Sequence, residues 1–326
     1  MKKVYVVGNL NVDVVMGNFK NWPDIGSEVT GNFFDLRCAG AAGNNALALK
    51  KLGFEVHVIS SVGIDDFGEK FFLDFERAGI DLSKCKRSRK RTGISLGISF
   101  ENNERTFFTF LGALEDMDND FIFEGLKDVK NSWIVICGFN IIPSLQNDQF
   151  LDTVAFIKSH DNEILFDPGW PPQGWNEELK KQASRLAVLS DWFVPNLSEA
   201  LAISKKSSME ESIEHFKNLG VSNCIIKLGE DGANGFILSD KTLAGAFRLG
   251  KVKDTVGAGD LFNAGLIKGI SMGWSSKQMV KFASFYASLG ITKTGENRYP
   301  TFEEAHRKFL EIAGKQNGRT KFEGGI

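Results

Sequence analysis

The sequence predicts an α/β fold in which a parallel sheet lies between layers of helices. Short segments rich in β-branched and aromatic residues recur along the 326-residue chain. Most of them are continuously apolar, which is typical of strands buried on both faces of a parallel sheet. Segments of helical length separate many of them, and this alternation favours a doubly wound sheet. The predicted strands are residues 4–7, 55–61, 133–137, 163–166, 192–194, 224–228 and 235–238.

The predicted helices are amphipathic, and the first has recognisable ends. Asn44 and Asn45 give it a polar start, Lys50 and Lys51 lie in its last turn, and Gly53 stops it. The predicted helices are residues 46–53, 67–78, 144–159, 198–204, 209–219 and 258–272.

Two segments break this alternation and predict a small β appendage. Residues 10–17 with 29–38, and residues 92–109, alternate apolar and polar side chains, as antiparallel hairpins outside the main sheet would. No linker rich in Pro, Gly or Ser divides the chain, so we expect one domain. Its expected bounds are residues 1–313, with appendage segments inserted at about 10–38 and 92–110, and with a loosely ordered tail at 314–326.

Composition and charge narrow the class of partner. The chain has 39 Lys and Arg against 41 Asp and Glu, a formal net charge of −2, so no general field attracts nucleic acid or an anionic membrane. Four scattered cysteines predict reduced thiols, and no apolar run is long enough for a signal or a membrane span, so we expect a cytoplasmic protein. The 34 glycines, against only 7 prolines, indicate tight turns or backbone brought close to a ligand, rather than linkers, and the charge balance favours a small-molecule partner.

The most informative segment is residues 254–260, Asp-Thr-Val-Gly-Ala-Gly-Asp, which leads into an apolar helix. The Gly-Ala-Gly turn exposes backbone N–H groups at the positive end of the helix dipole, which suits phosphate. The dipole is expected to keep Asp260 ionised, so that its carboxylate can accept a proton from a hydroxyl. An anion site beside a base suits phosphoryl transfer. The alternative is a turn that only tightens the helix entry, with Asp260 as an N-terminal charge.

Two further segments suit a polyhydroxy ligand. The small residues of a predicted loop at 39–45 let such a ligand approach the main chain, and Asn44 offers it a donor and an acceptor. Asn11 and Asp13 lie two apart and so face the same side of a strand, where a carboxylate can accept from adjacent hydroxyls. The alternatives are glycines that serve helix packing and an Asx turn after the first strand.

Two segments after later strands suit a nucleotide and its metal ion. Asn196 and Glu199 begin a helix where polar oxygens can reach water around Mg²⁺, although the pair also has the spacing of a capping box. Residues 227–232 end a strand at a glycine-rich turn, where open α/β sheets bind ligands; an ordinary turn is the alternative. The sequence contains no P-loop, no dinucleotide-binding fingerprint and no Cys/His cluster, and its four histidines are isolated.

Taken in order, these segments resemble the ribokinase-like, or PfkB, family of carbohydrate and nucleoside kinases. Residues 254–260 match its signature D-T-x-G-A-G-D, and residues 40–44 stand where the family has its N-terminal glycine motif. Residues 62–68, 195–199 and 227–232 resemble three further motifs. The resemblance implies a three-layer α/β/α domain with a mostly parallel central sheet and a small β-sheet lid, which is the predicted appendage.

The resemblance also implies a role for each candidate residue. Asp260 is the expected base, and the expected anion hole consists of the amides of Gly257, Ala258 and Gly259. The expected substrate-binding residues are Asn11, Asp13, Gly40, Asn44 and Arg105. The expected nucleotide-binding residues are Asn196, Glu199, Lys227, Gly229, Gly232 and Ser284, with Mg²⁺ held through water by Asn196 and Glu199. A monovalent cation such as K⁺ is expected near Asp254, Val256, Gly290 and Gly295.

These expectations combine into an ATP-dependent kinase that phosphorylates a hydroxyl of a neutral sugar or polyol resembling ribose, fructose or inositol. Residues 167–170, Asp-Pro-Gly-Trp, lack the basic residue frequent there in the family, which argues against keto-deoxygluconate and sugar-phosphate substrates. One alternative is a nucleoside kinase, since lid Phe and Trp side chains can stack on a base. The other is a catalytically silent sugar-binding or regulatory protein of the same fold. Family members are often dimers joined through their lids, so a homodimer is expected.

Overall fold

A computed structural model describes residues 2–102, 105–238 and 240–319, and it has a large sheet between two helical layers with a smaller sheet beside them. In chain order, its strands are β1 (Val4–Val7), β2 (Asn11–Phe19), β3 (Phe33–Ala39), β4 (Val56–Ile59), β5 (Ser61–Gly63), β6 (Lys86–Ser88), β7 (Gly93–Phe100), β8 (Arg105–Phe110), β9 (Trp133–Ile136), β10 (Glu163–Phe166), β11 (Trp192–Phe193), β12 (Asn223–Lys227), β13 (Ala233–Ile237) and β14 (Asp240–Ala244). Its α-helices are α1 (Gly40–Lys51), α2 (Asp66–Arg77), α3 (Asn119–Leu126), α4 (Asp148–Lys158), α5 (Glu177–Leu189), α6 (Leu197–Ser204), α7 (Met209–Leu219), α8 (Ala258–Ser271), α9 (Ser276–Gly290) and α10 (Phe302–Arg319).

The large sheet confirms the predicted, mostly parallel arrangement. Its strand order is β14-β13-β12-β11-β10-β9-β1-β4. The strands from β12 to β4 pair in parallel, with Val4 opposite both Val56 and Trp133, whereas β13 and β14 add an antiparallel edge. The carboxyl ends of the parallel strands therefore meet at one edge of the sheet, where ligands bind in open α/β folds.

Alternate side chains of the central strands enter two separate hydrophobic cores. Val4 and Val6 belong to one core, whereas Tyr5 and Val7 belong to the other, because successive strand residues face opposite sides of the sheet. The first core includes residues of α1, α2, α8, α9 and α10, and the second includes residues of α3 to α7. These two cores are the physical basis of the three layers.

The smaller sheet, called the lid sheet below, confirms the predicted β appendage. Its order is β3-β2-β7-β8. The pairs β2–β3 and β7–β8 are antiparallel, as predicted, and β2 and β7 join them by parallel pairing. The sheet exposes several large aromatic side chains, among them Phe34, Phe108 and Phe110, each more than half exposed.

Helix α1 begins earlier than the sequence suggested, so the predicted loop at 39–45 is wrong. Strand β3 ends at Ala39 and α1 begins at the next residue, Gly40. Gly40 has φ of +76°, which glycine adopts at little cost, and this allows the chain to turn from strand to helix without a loop. The glycines and alanines of the motif therefore form the first turn of α1.

Several other elements were not predicted. Helices α3, α5, α9 and α10 and strands β6 and β14 are all present in the structure. Helix α10 continues through Arg319, so the part of the expected tail at 314–319 is helical, and residues 320–326 lie outside the described residues. In the part of the chain that the structure describes, no helix is both long and apolar enough to cross a membrane.

Candidate active site

The glycine turn that the sequence singled out forms the start of helix α8. Gly257 precedes the helix with φ of +79°, a conformation that favours glycine. Leu261 N–H makes the helix's first i to i−4 bond, to the Gly257 carbonyl at 3.0 Å, so the amides of Gly259 and Asp260 lie before the intrahelical ladder. Ala258 N–H, which the expected anion hole includes, donates to the Thr255 carbonyl at 3.1 Å. Among the described residues, the amides of Gly257, Gly259 and Asp260 have no hydrogen-bond acceptor, so these three are available at the helix start.

Two asparagines of helix α1 hold the Asp260 carboxylate. Asn44 Nδ2 donates to its Oδ2 at 3.0 Å, and Asn45 Nδ2 donates to its Oδ1 at 2.7 Å. The Tyr299 hydroxyl donates to Asn44 Oδ1 at 2.7 Å, which turns the Asn44 amide nitrogen towards Asp260. The sequence analysis missed Asn45 as a site residue, although its position beside Asn44 on the first turns of α1 was the available signal.

The electrostatic surroundings of Asp260 differ from the expectation. Burial, followed by repulsion from the Asp167 carboxylate, raises the pKa of Asp260 well above its usual value, and the attraction of Lys227 offsets only part of this. These surroundings oppose the ionised form of Asp260 that the helix dipole is expected to favour. A carboxyl group with a raised pKa is a stronger proton acceptor once it is ionised, which suits a general base.

Asp260 lies between two adjoining cavities, and the smaller one contains the expected substrate residues. This cavity of about 220 Å³ is lined by Asn11, Asp13, Gly40 and Asn44 together with Asp260. Its polar groups form a chain, because Asn9 Nδ2 donates to Asn11 Oδ1 at 2.5 Å and Asn11 Nδ2 donates to Asp13 Oδ1 at 2.7 Å. Burial raises the pKa of Asp13 to about 6, against the attraction of Arg37. Arg105 is in strand β8, and its side chain lies outside the described part of the structure.

A second cavity, of about 340 Å³, contains four charged or titratable side chains that we call the phosphate-side cluster: Asp167, Glu199, Lys227 and Asp260. Lys227 Nζ lies 2.6 Å from Asp167 Oδ2, and Asn263 Nδ2 donates to the same oxygen at 2.7 Å. Burial and then repulsion by Asp167 raise the pKa of Glu199 to about 7. Burial lowers the pKa of Lys227, but attraction to Asp167 and Glu199 outweighs it and the pKa is raised.

The capping interpretation of Asn196 and Glu199 also holds. Asn196 Oδ1 accepts from Glu199 N–H at 2.9 Å, and Glu199 Oε2 accepts from Asn196 N–H at 2.8 Å, which completes a capping box at the start of α6. Both residues nevertheless line the 340 Å³ cavity. The cap thus orients two polar side chains at the carboxyl end of β11.

A third cavity, of about 540 Å³, continues from the second and contains the remaining expected nucleotide residues. The two share Lys227, Gly229 and the first residues of α8. Gly232 and Ser284 line the third cavity, and much of the rest of its wall is apolar. Ser284 Oγ is buried and has no hydrogen-bond partner within the described residues, so it is a polar group available to a ligand.

The positions expected to hold a monovalent cation surround a guanidinium group. Arg298 Nη1 donates to Asp254 Oδ2 at 3.1 Å, and its Nη2 donates to the Val256 carbonyl. Gly295 begins the 3₁₀ turn that carries Arg298, and Gly290 lies close to the Arg298 backbone. The sequence analysis grouped these positions but missed Arg298, whose partners lie more than forty residues earlier in the chain.

The fold and the site together define a small-molecule kinase. The polar 220 Å³ cavity and the two larger cavities meet at a helix start that carries both free amides and a buried carboxylate. The chain belongs to the pfkB family of carbohydrate kinases, whose family model matches residues 1–301.

Individual relatives agree with this membership. A 2-dehydro-3-deoxygluconokinase of Bacillus subtilis (strain 168) is 27% identical over 285 residues, which cover 83% of this chain and 86% of the relative. A ribokinase of Lactococcus lactis subsp. lactis (strain IL1403) is 26% identical over 317 residues, 96% of this chain and 98% of the relative. The structure of a putative ribokinase II from E. coli, in complex with ATP and Mg²⁺, is similar in fold, with a TM-score of 0.79, 21% identity, and coverage of 96% of this chain and 100% of that one.

Proposed function

We propose that the protein is an ATP-dependent sugar kinase that transfers the γ-phosphate to a hydroxyl of a neutral sugar or polyol. The observation that carries this proposal is the position of Asp260, whose side chain lines both the polar 220 Å³ cavity and the 340 Å³ cavity at the start of α8. A hydroxyl bound in the first cavity and a phosphate bound in the second would meet at this residue.

Asp260 and the groups around it each have a separate role in the proposed phosphate transfer. Asp260 accepts the proton of the attacking hydroxyl while the new oxygen–phosphorus bond forms and ADP leaves with the electrons of the broken bond. Asn44 and Asn45 keep the carboxylate oriented. The amides of Gly259 and Asp260 face the charge that develops on the transferred group. Asn11 and Asp13 hold the remaining hydroxyls of the substrate.

ATP and Mg²⁺ fit the chemistry of the two larger cavities. Carboxylate and amide oxygens of Asp167, Asn196 and Glu199 line the 340 Å³ cavity, and such oxygens, reached directly or through water, are the ligands that Mg²⁺ prefers. The ion supplies positive charge that neutralises the phosphates. Lys227, the cation of the phosphate-side cluster, adds a further positive group. The apolar wall of the 540 Å³ cavity and the unpartnered Ser284 hydroxyl suit an adenine ring.

The lining of the small cavity favours an uncharged substrate. Among the described residues that line it, none is Lys or Arg, so none of them offers a guanidinium or ammonium partner to a carboxylate or phosphate on the substrate. The side chain of Arg105 lies outside the described part of the structure. This lining supports a neutral sugar over a keto-deoxygluconate, even though one relative is a 2-dehydro-3-deoxygluconokinase. Both classes of substrate therefore belong in any screen.

A nucleoside is the second candidate substrate, because the small cavity opens into a groove of about 920 Å³. The two share six lining residues, including the aromatic side chains of Phe107 and Trp170. A base attached to the sugar would lie against these rings, and aromatic stacking would add to its binding.

The exposed side chains of the lid sheet support a proposal about the oligomeric state. Exposed Phe34, Phe108 and Phe110 on the lid sheet suit a homodimer formed through the lids, since exposed apolar patches mark interaction surfaces.

The four cysteines are buried and unpaired, which suits the reducing cytoplasm, where ATP is available.

The substitution Asp260→Asn tests the proposal. We expect kcat to fall by about 10²- to 10⁴-fold, because the amide cannot accept the proton. The melting temperature is expected to stay the same or rise, since a buried charge is removed, and ATP binding is expected to persist. Asp152→Asn, an exposed position on α4, is the matched control and should have wild-type kcat. Turnover near the wild-type rate in Asp260→Asn would contradict the assigned role of Asp260.

A further inference from the structure

A second group of charged side chains surrounds Asp254 and Val256, the residues that lead into the glycine turn. We call it the turn cluster: Asp13, Arg37, Asp254 and Arg298. All four side chains are at most 15% exposed, and Arg298 is only 2% exposed. Arg37 Nη1 and Arg298 Nη1 both donate to Asp254 Oδ2, at 2.7 and 3.1 Å. Two buried carboxylates thus face two guanidinium groups, and a third, more exposed carboxylate, that of Asp35, lies 3.4 Å from Arg37 Nη1.

The oxygen atoms that a cation would need are already committed in this cluster. Asp254 Oδ1 accepts from Val256 N–H at 2.9 Å, and its Oδ2 accepts from the two arginines. The Val256 carbonyl accepts from Arg298 Nη2. Among the described residues, Arg298 Nε and Arg37 Nε and Nη2 are buried and have no hydrogen-bond acceptor. The cluster is therefore short of acceptors, which is the opposite of what a cation site needs.

Gly290 and Gly295, two positions expected near a cation, instead allow the backbone of Arg298 to take its place in the interior. A Cβ atom at position 290 would lie 2.8 Å from the Arg298 carbonyl oxygen, so the absence of a side chain there allows this backbone to approach. Gly295, with φ of +58°, starts the 3₁₀ turn that carries Arg298 into the interior. A K⁺ ion among these groups would lie beside a fixed guanidinium, and the repulsion between like charges is strong where water is excluded. The residues present do not fit the expected monovalent cation.

We propose that Arg298 is the built-in cation of this site, and that it positions the turn at 254–257 without a dissociable monovalent ion. Its bonds to Asp254 and to the Val256 carbonyl hold the two residues that lead into Gly257 and the free amides of α8. The next residue, Tyr299, orients Asn44, which holds Asp260. Arg298 is thus a positioning residue for both halves of the site. The kinetic part of this inference rests on the proposed kinase function.

The direct test compares the wild-type protein in buffers whose monovalent cation is either K⁺ or tetramethylammonium at equal ionic strength. We expect the same melting temperature in both, because only an ion that binds the folded state would raise it, and kcat/KM values within about threefold of each other. A higher melting temperature in K⁺, or a larger K⁺ activation, would overturn the proposal. The melting temperature needs no turnover, so this readout stands even if the proposed kinase function fails.

A variant tests the positioning role itself. In Arg298→Ala we expect kcat to fall by about 10- to 100-fold while the KM for ATP changes little, because the turn is misplaced but the nucleotide cavity is intact. Millimolar guanidinium is expected to restore part of kcat, which a purely structural defect would not allow. Arg185→Ala, at a surface ion pair with Asp148, is the matched control.

A wild-type kcat in Arg298→Ala, or a loss that guanidinium does not restore in folded protein, would overturn the positioning role. If Arg298→Ala does not fold, Arg298→Lys replaces it, and a melting temperature and kcat between those of the alanine variant and wild type are expected. The wild-type comparison of K⁺ with tetramethylammonium decides the inference in either case.

Discussion

The two buried clusters of charged side chains beside the glycine turn differ in their balance of positive and negative charge. The turn cluster pairs two carboxylates with two guanidinium groups, and Asp254 alone accepts from both arginines. The phosphate-side cluster sets three carboxyl groups against the single ammonium of Lys227. Burial without enough compensating charge raises the pKa of Glu199 to about 7 and that of Asp260 well above its usual value.

This difference separates a structural cluster from a binding site. In the turn cluster, positive and negative charges offset one another, and their contacts hold the turn in place. The phosphate-side cluster is stabilised when protons or added cations offset its negative charge, and a bound Mg²⁺ would supply such a cation. Each cluster contains one aspartate of the segment 254–260, Asp254 in the turn cluster and Asp260 in the phosphate-side cluster, yet their contacts give the two clusters different chemistry.

Removing the single cation of the unbalanced cluster should have the largest effect on stability. We expect Lys227→Met to lower the free energy of unfolding at neutral pH by about 3–5 kcal/mol, because Asp167 would lose its buried partner. The loss should shrink at acid pH, where the carboxyl groups bind protons. Urea denaturation of wild type and variant at both pH values measures this.

Lys90→Met is the matched control for that experiment. Lys90 also contacts two carboxylates, Glu115 and Asp116, but its side chain is 46% exposed. Ion pairs in water contribute little, so we expect a much smaller loss of stability than in Lys227→Met. Equal losses in the two lysine variants would break the contrast between buried and exposed charge on which the comparison rests.

The pH dependence of stability should report the raised pKa of Glu199. Because its folded pKa is about 7 against an ordinary 4.5, the folded protein binds this proton more tightly than the unfolded chain does. The corresponding stability is complete below pH 4.5 and is lost as the pH rises through 7, by at most about 3 kcal/mol. Glu199→Gln keeps the capping box and should flatten the fall in stability between pH 5 and 8. If the free energy of unfolding depends on pH with the same slope in wild type and variant, the pKa of Glu199 is not raised in the folded protein.

The effect of Asp13→Asn should be smaller, and it should fall on the sugar substrate rather than on ATP. Asp13→Asn keeps the acceptor for Asn11 Nδ2 but removes the charge that faces the 220 Å³ cavity. A hydrogen bond to a charged group contributes about 1.5–3 kcal/mol, so kcat/KM for the sugar should fall about 10- to 100-fold while the KM for ATP is unchanged. Asp152→Asn, at the exposed position on α4, is again the control. An equal loss of ATP affinity in Asp13→Asn would contradict the division between the two cavities.

Local signals in the sequence predicted much of the fold. The bounds of β1 and of α7 agree with the structure, because a continuous apolar run defines the strand, and a capping box at Ser208 and a left-handed Gly220 define the helix. Helix α9 was missed because its second half, from Val280 to Gly290, is largely buried and so lacks an obvious polar face. The start of α1 was missed because its small residues are typical of both loops and close packing.

The site was predictable where its residues belong to motifs and not where it depends on distant contacts. Asp13 and Asn44 lie beside the Asp260 cavity, as their motifs indicated. Arg37 and Arg298 approach Asp254 from positions more than forty residues away on either side, and no spacing rule connects them. The presence of a guanidinium group at the expected cation position therefore follows from the tertiary structure and not from any local pattern in the sequence.

The central claim is that the protein transfers phosphate from ATP to a sugar, and ADP release measures this most directly. The purified protein with ATP and Mg²⁺ is assayed with pentoses, hexoses, inositols, nucleosides and 2-dehydro-3-deoxygluconate, each against a blank without acceptor. The account predicts ADP release that depends on a neutral sugar or polyol and greatly exceeds the blank. If no acceptor stimulates ADP release while a sugar still raises the melting temperature, the protein binds sugar without phosphorylating it, and the account is contradicted.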